Sequence, residues 1–385
     1  MNVPKLRFKE FTDEWKQTPL KNIIYSNIIE APKPTTDYIR LGIRSHCKGT
    51  FHELVKIENI LSADKMYIVP KNNLILNITF AWEQAIAITD DNDEGKYISN
   101  RFPTFAFKDN QLPTFYKYII PQKRLKYDLN VASPGGAGRN RVLNKKLFLS
   151  IPVNIPLLKE QEKISKFLTT VDKKITNLKN TITSLENQKK GLLQQIFSQK
   201  LRFKDKNGNN YPNWKKKKLG DLFTIKAGGD INKENFSEQY SIEFKYPVYA
   251  NALTNNGLYG YSNIYKIDKP SITVTGRGIN VGFALSREPF YYPIVRLLVL
   301  IPNININFTF FTESINFIHI FNESTGVPQL TAPQLSKVNV YVPNIEEQNK
   351  IGNLFDKLNE KIDNKKAQLE HWQQIKKGLL QQMFV

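Results

Sequence analysis

The sequence predicts an α+β chain of two equivalent halves, in which β-rich mixed regions alternate with two long helices. Three observations predict it. The stretch PLLKEQEKISKFLTTVDKKITNLKNTITSLENQKKGLLQQIF from Pro156 returns from Pro343 as PNIEEQNKIGNLFDKLNEKIDNKKAQLEHWQQIKKGLLQQMF, without a gap at an offset of 187 residues. Both copies carry apolar residues at heptad spacing, and Lys189 to Gln195 recurs unchanged as Lys376 to Gln382. The regions that precede each copy hold short β-branched and aromatic runs bounded by Pro, Asn, Gly and Asp, which are strand signals.

The chain opens with Lys5, Leu6, Arg7, Phe8, Lys9 and then Trp15, a lead-in that recurs as Lys200, Leu201, Arg202, Phe203, Lys204 and then Trp214. The segment following the first helix is thus the segment that opens the chain. Two units arranged as a cut circle would place the N-terminus near the end of the second helix. In the first region, Tyr38 to Ile43, Tyr67 to Val69, Leu74 to Ile78 and Ala85 to Thr89 read as strands. Pro113 to Tyr118 opens a short helix, and Ser133 to Arg141 (SPGGAGRNR) is a glycine-rich basic loop.

In the first long repeat, Ile164, Leu168, Val171, Ile175, Leu178, Ile182 and Leu185 alternate four and three apart, the seam of a coiled coil continuing through Leu192 to Ile196. A helix from about Glu160 to Gln199 spans roughly 60 Å. The second region repeats the style with different residues. Tyr246 to Tyr249, Tyr259 to Tyr261, Ser271 to Thr275 and Val281 to Leu285 read as strands, and Phe308 to Phe321 as a helix. The second long repeat keeps its seam with Ile351, Phe355, Leu358, Ile362, Leu369, Trp372, Leu379 and Met383, and sets Lys365 where the first has Leu178. One helix cannot bury such a stripe alone, so the two are expected to bury theirs against each other. The resulting segments are 1–155, 156–199, 200–342 and 343–385.

Lys and Arg outnumber Asp and Glu by 55 to 35, and a net charge of +20 with 12% aromatic residues points to a polyanion, nucleic acid foremost. Cys47 is the only cysteine, which excludes an intramolecular disulfide framework. The cluster His46, Cys47, His52 lacks the paired spacing of a zinc site and reads as structural. The N-terminus has no apolar core of a signal peptide, and the longest hydrophobic run, Ile294 to Ile301, is interrupted by Arg296 and too short to span a bilayer. A cytoplasmic protein without membrane association is expected.

No GxxxxGK[ST], GxGxxG after a strand, or NPPY or DPPY motif is present, and Pro-Asp does not occur, so nucleotide, methyl-donor and nuclease chemistry have no motif to rest on. Residues able to read bases are present instead. Arg40, Arg44, Arg139, Asn140 and Arg141 in the first region, and Asn251, Asn255, Asn256, Arg277, Arg287 and Gln329 in the second, are of the types that form two hydrogen bonds to guanine or adenine. The run Lys215 to Lys218 is a candidate phosphate contact or a solvated charge run.

The helix ends carry a different signal. A seam constrains only every third or fourth residue, yet consecutive residues on all sides are identical in both copies. Lys189, Lys190, Leu193, Gln194 and Gln195, with Lys376, Lys377, Leu380, Gln381 and Gln382, are therefore expected to dock the same partner surface twice.

These marks identify a resemblance. The doubled Pro-x-x-x-Glu-Gln-x-Lys-Ile opening (Pro156, Glu160, Gln161, Lys163, Ile164; Pro343, Glu347, Gln348, Lys350, Ile351) and the Lys-Lys-Gly-Leu-Leu-Gln-Gln exit ending in Phe197 and Phe384 resemble the specificity subunit of a type I restriction-modification system. The resemblance covers the whole chain. It implies two target-recognition domains, each reading half of a bipartite double-stranded DNA sequence, joined by two helices that pair as an antiparallel coiled coil and act as a ruler. It implies a non-catalytic scaffold for two methyltransferase subunits and, through them, two restriction subunits. S-adenosylmethionine, ATP and Mg would belong to those partners. Two other classes compete with this reading: an enzyme acting on DNA alone, and a coiled-coil architectural protein that binds DNA without sequence preference.

Overall fold

The computed structural model describes residues 3–59, 65–136, 141–278, 280–318, 320 and 329–384. The chain divides into two compact units, residues 1–177 with 369–385, and residues 178–368.

In the first unit the strands are β1 (Lys16–Pro19), β2 (Ile24–Ser26), β3 (Ile29–Ala31), β4 (Tyr38–Ile43), β5 (Thr50–Val55), β6 (Met66–Ile68), β7 (Leu74–Leu76), β8 (Ile86–Ile88), β9 (Tyr97–Ile98) and β10 (Thr104–Phe107). Helices α1 (Pro113–Ile119), α2 (Lys123–Val131) and α3 (Lys145–Ser150) follow, then β11 (Pro152–Ile155) and the long α4 (Leu158–Phe197). The second unit holds β12 (Lys215–Lys218), α5 (Leu219–Leu222), β13 (Phe223–Ala227), β14 (Phe236–Ser237), β15 (Tyr246–Tyr249), β16 (Leu258–Ser262), β17 (Ser271–Thr275), β18 (Ala284–Arg287), β19 (Tyr292–Pro293) and β20 (Leu297–Pro302). It continues with α6 (Phe308–Ile318), α7 (Ala332–Ser336), β21 (Asn339–Val342) and the long α8 (Ile345–Gln382). α4 ends in the second unit and α8 in the first.

The units share an inner frame. An antiparallel strand pair closes each region on itself, β1 with β11 and β12 with β21. A four-stranded sheet then repeats one order, β2-β10-β7-β8 and β13-β20-β17-β18, in which the sheet's last strand in sequence inserts beside its first. The outer sheets differ: β3-β6-β9-β4-β5 in the first unit, β14-β16-β15-β19 in the second.

Beneath each inner sheet the core runs into the helical seam. Ile164 and Leu168 share a cluster with Leu379, Leu380, Met383 and Phe384 in the first unit, and Leu192 and Ile196 share one with Ile351, Phe355 and Leu358 in the second. Residue numbers fall on one helix as they rise on the other, so the pairing is antiparallel. Ion pairs repeat this register: Asp172 to Lys376 at 2.6 Å in one unit, Glu186 to Lys366 at 2.8 Å in the other. Each seam side chain taken from water contributes about 1.5–3 kcal/mol. Val171, Ile175, Leu178, Ile182 and Ile362 are also buried. Lys365 is half-buried, its Nζ donating to Gln368 Oε1 at 3.2 Å, so the seam charge is met from its own helix. A left-handed Gln199 (φ 59°) follows the end of α4.

The doubled motif is a buried polar clamp at the start of each long helix. In the first unit Glu160, 2% exposed, accepts from Arg7 through Nε and Nη2, both at 2.7 Å, and from the Trp15 indole at 3.3 Å. In the second, Glu347 accepts from Arg202 at 3.1 and 2.7 Å and from Trp214 at 3.0 Å. The neighbouring glutamines also match. Gln161 donates to the Pro156 carbonyl and accepts the Leu112 amide, and Gln348 donates to the Pro343 carbonyl and accepts the Asn307 amide. The lead-in meets the helix exit as the cut circle requires: the Leu6 amide donates to the Gln382 carbonyl at 2.9 Å, and Leu201 to Gln195 at 3.0 Å. The bidentate Arg–Glu geometry raises the Arg7 pKa, first through the Glu160 hydrogen bond.

Several elements differ from the sequence expectation. The strand expected over Val281 to Leu285 is shifted to Ala284–Arg287, because Gly282 (φ 87°) turns the chain where the strand would start. The helix expected to Phe321 runs Phe308–Ile318, and residues 319 and 321 lie outside the described residues. The run Ile294 to Ile301 supplies β20, a central strand flanked by β13 and β17 and buried through Leu300, which explains its continuous apolar character. Glu347→Ala should remove the acceptor shared by Arg202 and Trp214 and destabilise the second unit by about 3–5 kcal/mol. Removing Arg202 as well should recover part of that loss. Denaturant unfolding checks both, and a single-variant loss within experimental error would contradict the clamp.

Candidate nucleic-acid interface and partner face

The candidate base-reading residues fall into distinct local settings. Arg40 and Arg44 both lie on the β4–β5 hairpin. Arg40 pairs with Glu53 at 2.7 Å, both partly exposed, and Arg44 lies 4.9 Å over the Phe51 ring while bonding the Thr50 carbonyl. A solvated ion pair of this kind contributes about 0–1 kcal/mol, so Arg40 is available for exchange to a phosphate or base. Arg141 is held differently. Its Nε donates to the Ser133 carbonyl at 2.9 Å, its Nη2 to the Asn130 carbonyl at 2.8 Å, and the guanidinium stacks 5.0 Å over Trp82. Arg139 and Asn140 lie outside the described residues.

The second unit gathers most of its candidates at one loop cluster. Asn251 accepts the Gly276 and Arg277 amides at 2.6 and 3.2 Å and donates to the Arg277 carbonyl at 2.6 Å, so it positions the loop and has little left for a base. Gly276 is needed there because a Cβ would stand 2.3 Å from the Arg296 carbonyl oxygen. Arg277 projects from that loop, exposed, and its backbone bridges Gln329. Gln329 Oε1 accepts from Arg296 Nη1 at 3.4 Å. Asn255 and Asn256 are exposed and left-handed (φ 50° and 51°), the turn expected of Asn before Gly257.

Arg287 corrects the expectation made for it. It is 8% exposed, its Nε donates to Thr273 Oγ1 at 2.9 Å, its Nη2 donates to the Asn256 carbonyl at 2.7 Å, and the guanidinium lies 3.8 Å over Tyr249. Burial lowers its pKa. It is an interior post that holds the Asn256 turn. Arg296, by contrast, was missed. It sits exposed and left-handed (φ 61°) at the head of β20, where its signal in the sequence was only a charge interrupting an apolar run.

Other charged features have defined roles. Lys215–Lys218 form β12, all four exposed, with the backbone paired to β21. Cys47 Sγ lies 3.4 Å from the Ile120 carbonyl, and burial pushes the thiol up to about 12, far from a reactive or metal-binding thiolate. His52 Nε2 stands 2.9 Å from Asp93.

At the helix exits the unchanged run divides in two. Lys189 pairs with Glu313 at 2.6 Å and Lys376 with Asp172 at 2.6 Å, while Leu193 and Leu380 pack on their unit's core. These residues have internal reasons for identity, which corrects the expectation that all of them face a partner. Lys190, Gln194 and Gln195, with Lys377, Gln381 and Gln382, have exposed side chains. Gly191 and Gly378 add a signal that was overlooked: a Cβ there would meet nothing within 4 Å, although a helical glycine costs about 1 kcal/mol relative to alanine. The fold does not require these glycines.

Two regions on one repeated inner frame, carried by two long helices, define a two-unit repeat protein. The chain belongs to the family of the type I restriction modification DNA specificity domain, whose model matches residues 17–187 and again 211–372. A Mycoplasma pneumoniae chain named as a type I specificity subunit, S.MpnORF507P, is 27% identical over 57% of this chain. The match spans 59% of that relative's length. The specificity subunit of the type I restriction enzyme MjaVIII from Methanocaldococcus jannaschii is 23% identical over 91% of this chain and 84% of its own. In fold, the chain is similar to the crystal structure of a type I restriction-modification S subunit from M. genitalium, with a TM-score of 0.68, 17% identity, and coverage of 100% and 99%.

Arg287→Ala should lower the unfolding midpoint of the second unit, a hydrogen-bonded buried cation contributing about 1.5–3 kcal/mol. Arg277→Ala should leave the midpoint unchanged. Thermal melts of the two variants side by side check this, and equal midpoints would contradict the placement of Arg287.

Proposed function

We propose that this chain is the sequence-reading subunit of a type I restriction-modification complex, and that each unit reads one half of a bipartite double-stranded DNA target. The observation that carries this is the repeat of the inner frame, clamp and seam in both units while the outer sheets and loops differ. A shared frame with unlike reading surfaces suits two domains doing the same job on different half-sites. The exposed or exchangeable members Arg40, Arg44, Arg277, Asn255, Asn256 and Arg296 are the candidates for base edges and phosphates. The +20 net charge supports a polyanionic partner.

The chain itself acts as a non-catalytic scaffold. Lys190, Gln194 and Gln195, with the matching Lys377, Gln381 and Gln382, form two equivalent exposed helix faces for two methyltransferase subunits, which in turn bring two restriction subunits. S-adenosylmethionine, ATP and Mg belong to those partners. Native mass spectrometry of the assembled complex counts the subunits, and any count other than two of each is against this stoichiometry. Among the described residues no helix is long and apolar enough to cross a membrane.

The long helices set the unread spacer. Inserting four residues, about one helical turn, after Ser184 should lengthen the spacing between half-sites without changing either. Mapping adenine methylation in cells carrying the altered chain and its partners checks this. The original spacing in that map would defeat the ruler.

A further inference from the structure

We propose that each recognition region is keyed to its own half of the helical frame, so that a region fits the other position only if the helix residues beneath it change too. The keys are Asp172 and Ser165 in the first unit, and Glu313, Asn307 and Gly352 in the second. They act on how a region seats, independently of what DNA it reads.

The comparison rests on equivalent positions. α1 and α6 occupy the same place in their units: the preceding amides of Leu112 and Asn307 both donate to the motif glutamine, at 3.0 and 3.2 Å. Phe115 and Phe310 both stand edge-on to the clamp tryptophan, at 6.1 and 5.7 Å. Tyr118 on α1 therefore corresponds to Glu313 on α6. On the long helices the constant offset matches Asp172 with Asn359, Ser165 with Gly352, and Lys376 with Lys189.

At the first key each unit assembles one lysine, one carboxylate and one neutral donor, but the carboxylate has changed sides. In the first unit it is on the long helix: Asp172 pairs with Lys376 at 2.6 Å and accepts the Tyr118 hydroxyl at 3.0 Å. Burial pushes the Tyr118 phenol up, so it stays a donor. In the second unit the carboxylate is on the recognition region: Glu313, 7% exposed at its side chain, pairs with Lys189 at 2.6 Å and accepts the Asn359 amide at 3.2 Å. Seating the second region on the first frame would set two carboxylates against one lysine. Seating the first region on the second frame would bring together Tyr118 and Asn359, and Lys189 would lose Glu313. Like charges brought together in a partly buried site destabilise it, and so does a cation stripped of its partner.

The second key is steric and points one way. Asn307 caps α6, its Oδ1 accepting the Phe310 amide at 2.9 Å and its Nδ2 donating to Asn349 at 3.2 Å. It lies directly over Gly352, where a Cβ would stand 2.1 Å from that Oδ1. The first frame has Ser165 at this place, buried, its Oγ donating to Thr114 at 2.8 Å. A region bearing Asn307 would collide with Ser165 unless the cap were given up. The second region is thus barred from the first frame by charge and by shape, and the first from the second by charge alone.

The test uses the full chain and thermal unfolding, and so stands or falls separately from the DNA-reading proposal. E313Y should lower the midpoint of the second unit by roughly 5–10 °C, N359D should lower it by placing a second carboxylate beside Glu313, and E313Y with N359D should recover most of the E313Y loss by restoring the lysine, carboxylate and tyrosine of the first unit, with Asp356 standing where the first unit has Thr169. A chain with residues 20–155 replaced by a copy of 219–342 should melt low, and S165G with D172N should raise it. Additive losses in the double variant would overturn the charge key. If S165G and D172N fail to raise the exchanged chain's midpoint, the keying idea is overturned as a whole.

Discussion

A carboxylate buried at the start of each long helix is the constraint on which the rest of this chain depends. Glu160 and Glu347 are each reached by an arginine and a tryptophan that lie far away in sequence, so satisfying one acid fixes the lead-in against the helix. A charge removed from water without such partners would cost several kcal/mol, so the lead-in cannot wander. Phe384 and Phe197 complete the same corner from the helix exits, packing on Trp15 and Trp214. Each unit is thereby closed by two segments that the chain supplies from opposite ends of the repeat.

This closure allows the outer surfaces to differ. With the frame fixed by clamp, seam and inner sheet, the first unit carries a five-stranded outer sheet and the second a four-stranded one rich in tyrosine, with Phe236 stacked on Tyr259 and Tyr240 edge-on to Tyr261. Arg40 on β4 and Arg44 just beyond it belong to this variable part, whereas Arg277 and Arg296 stand at the ends of β17 and β20 of the inner sheet. The units differ within the frame as well, at Asp172, Asn359, Tyr118 and Glu313, where the equivalent lysines Lys376 and Lys189 take their carboxylate from the long helix in one unit and from the recognition region in the other.

Much of this was legible in the sequence where one period or one repeat decides the matter. The heptads give α4 and α8 to within a few residues, and Tyr38–Ile43, Tyr246–Tyr249 and Ser271–Thr275 are strands as their β-branched and aromatic content implies. The short helices α2 and α3 were not read, because Lys123–Val131 and Lys145–Ser150 are too short and polar to show a clear period. The role of the Glu-Gln pair was visible only as repetition, since the glutamates' partners come from over a hundred residues away and the amides that the glutamines accept lie 49 and 41 residues away. Residue type misled at Arg287, whose chemistry suits a base edge as well as it suits Thr273, the Asn256 carbonyl and Tyr249, and only burial separates the two uses.

The central claim is that two equivalent units read two separate half-sites held at a fixed distance. The most direct measurement is the set of methylated adenines in the genome of a cell carrying this chain with its methyltransferase subunits. The account predicts one bipartite motif with two specific halves around an unread spacer of constant length. A single contiguous motif, or methylation without sequence preference, would contradict it.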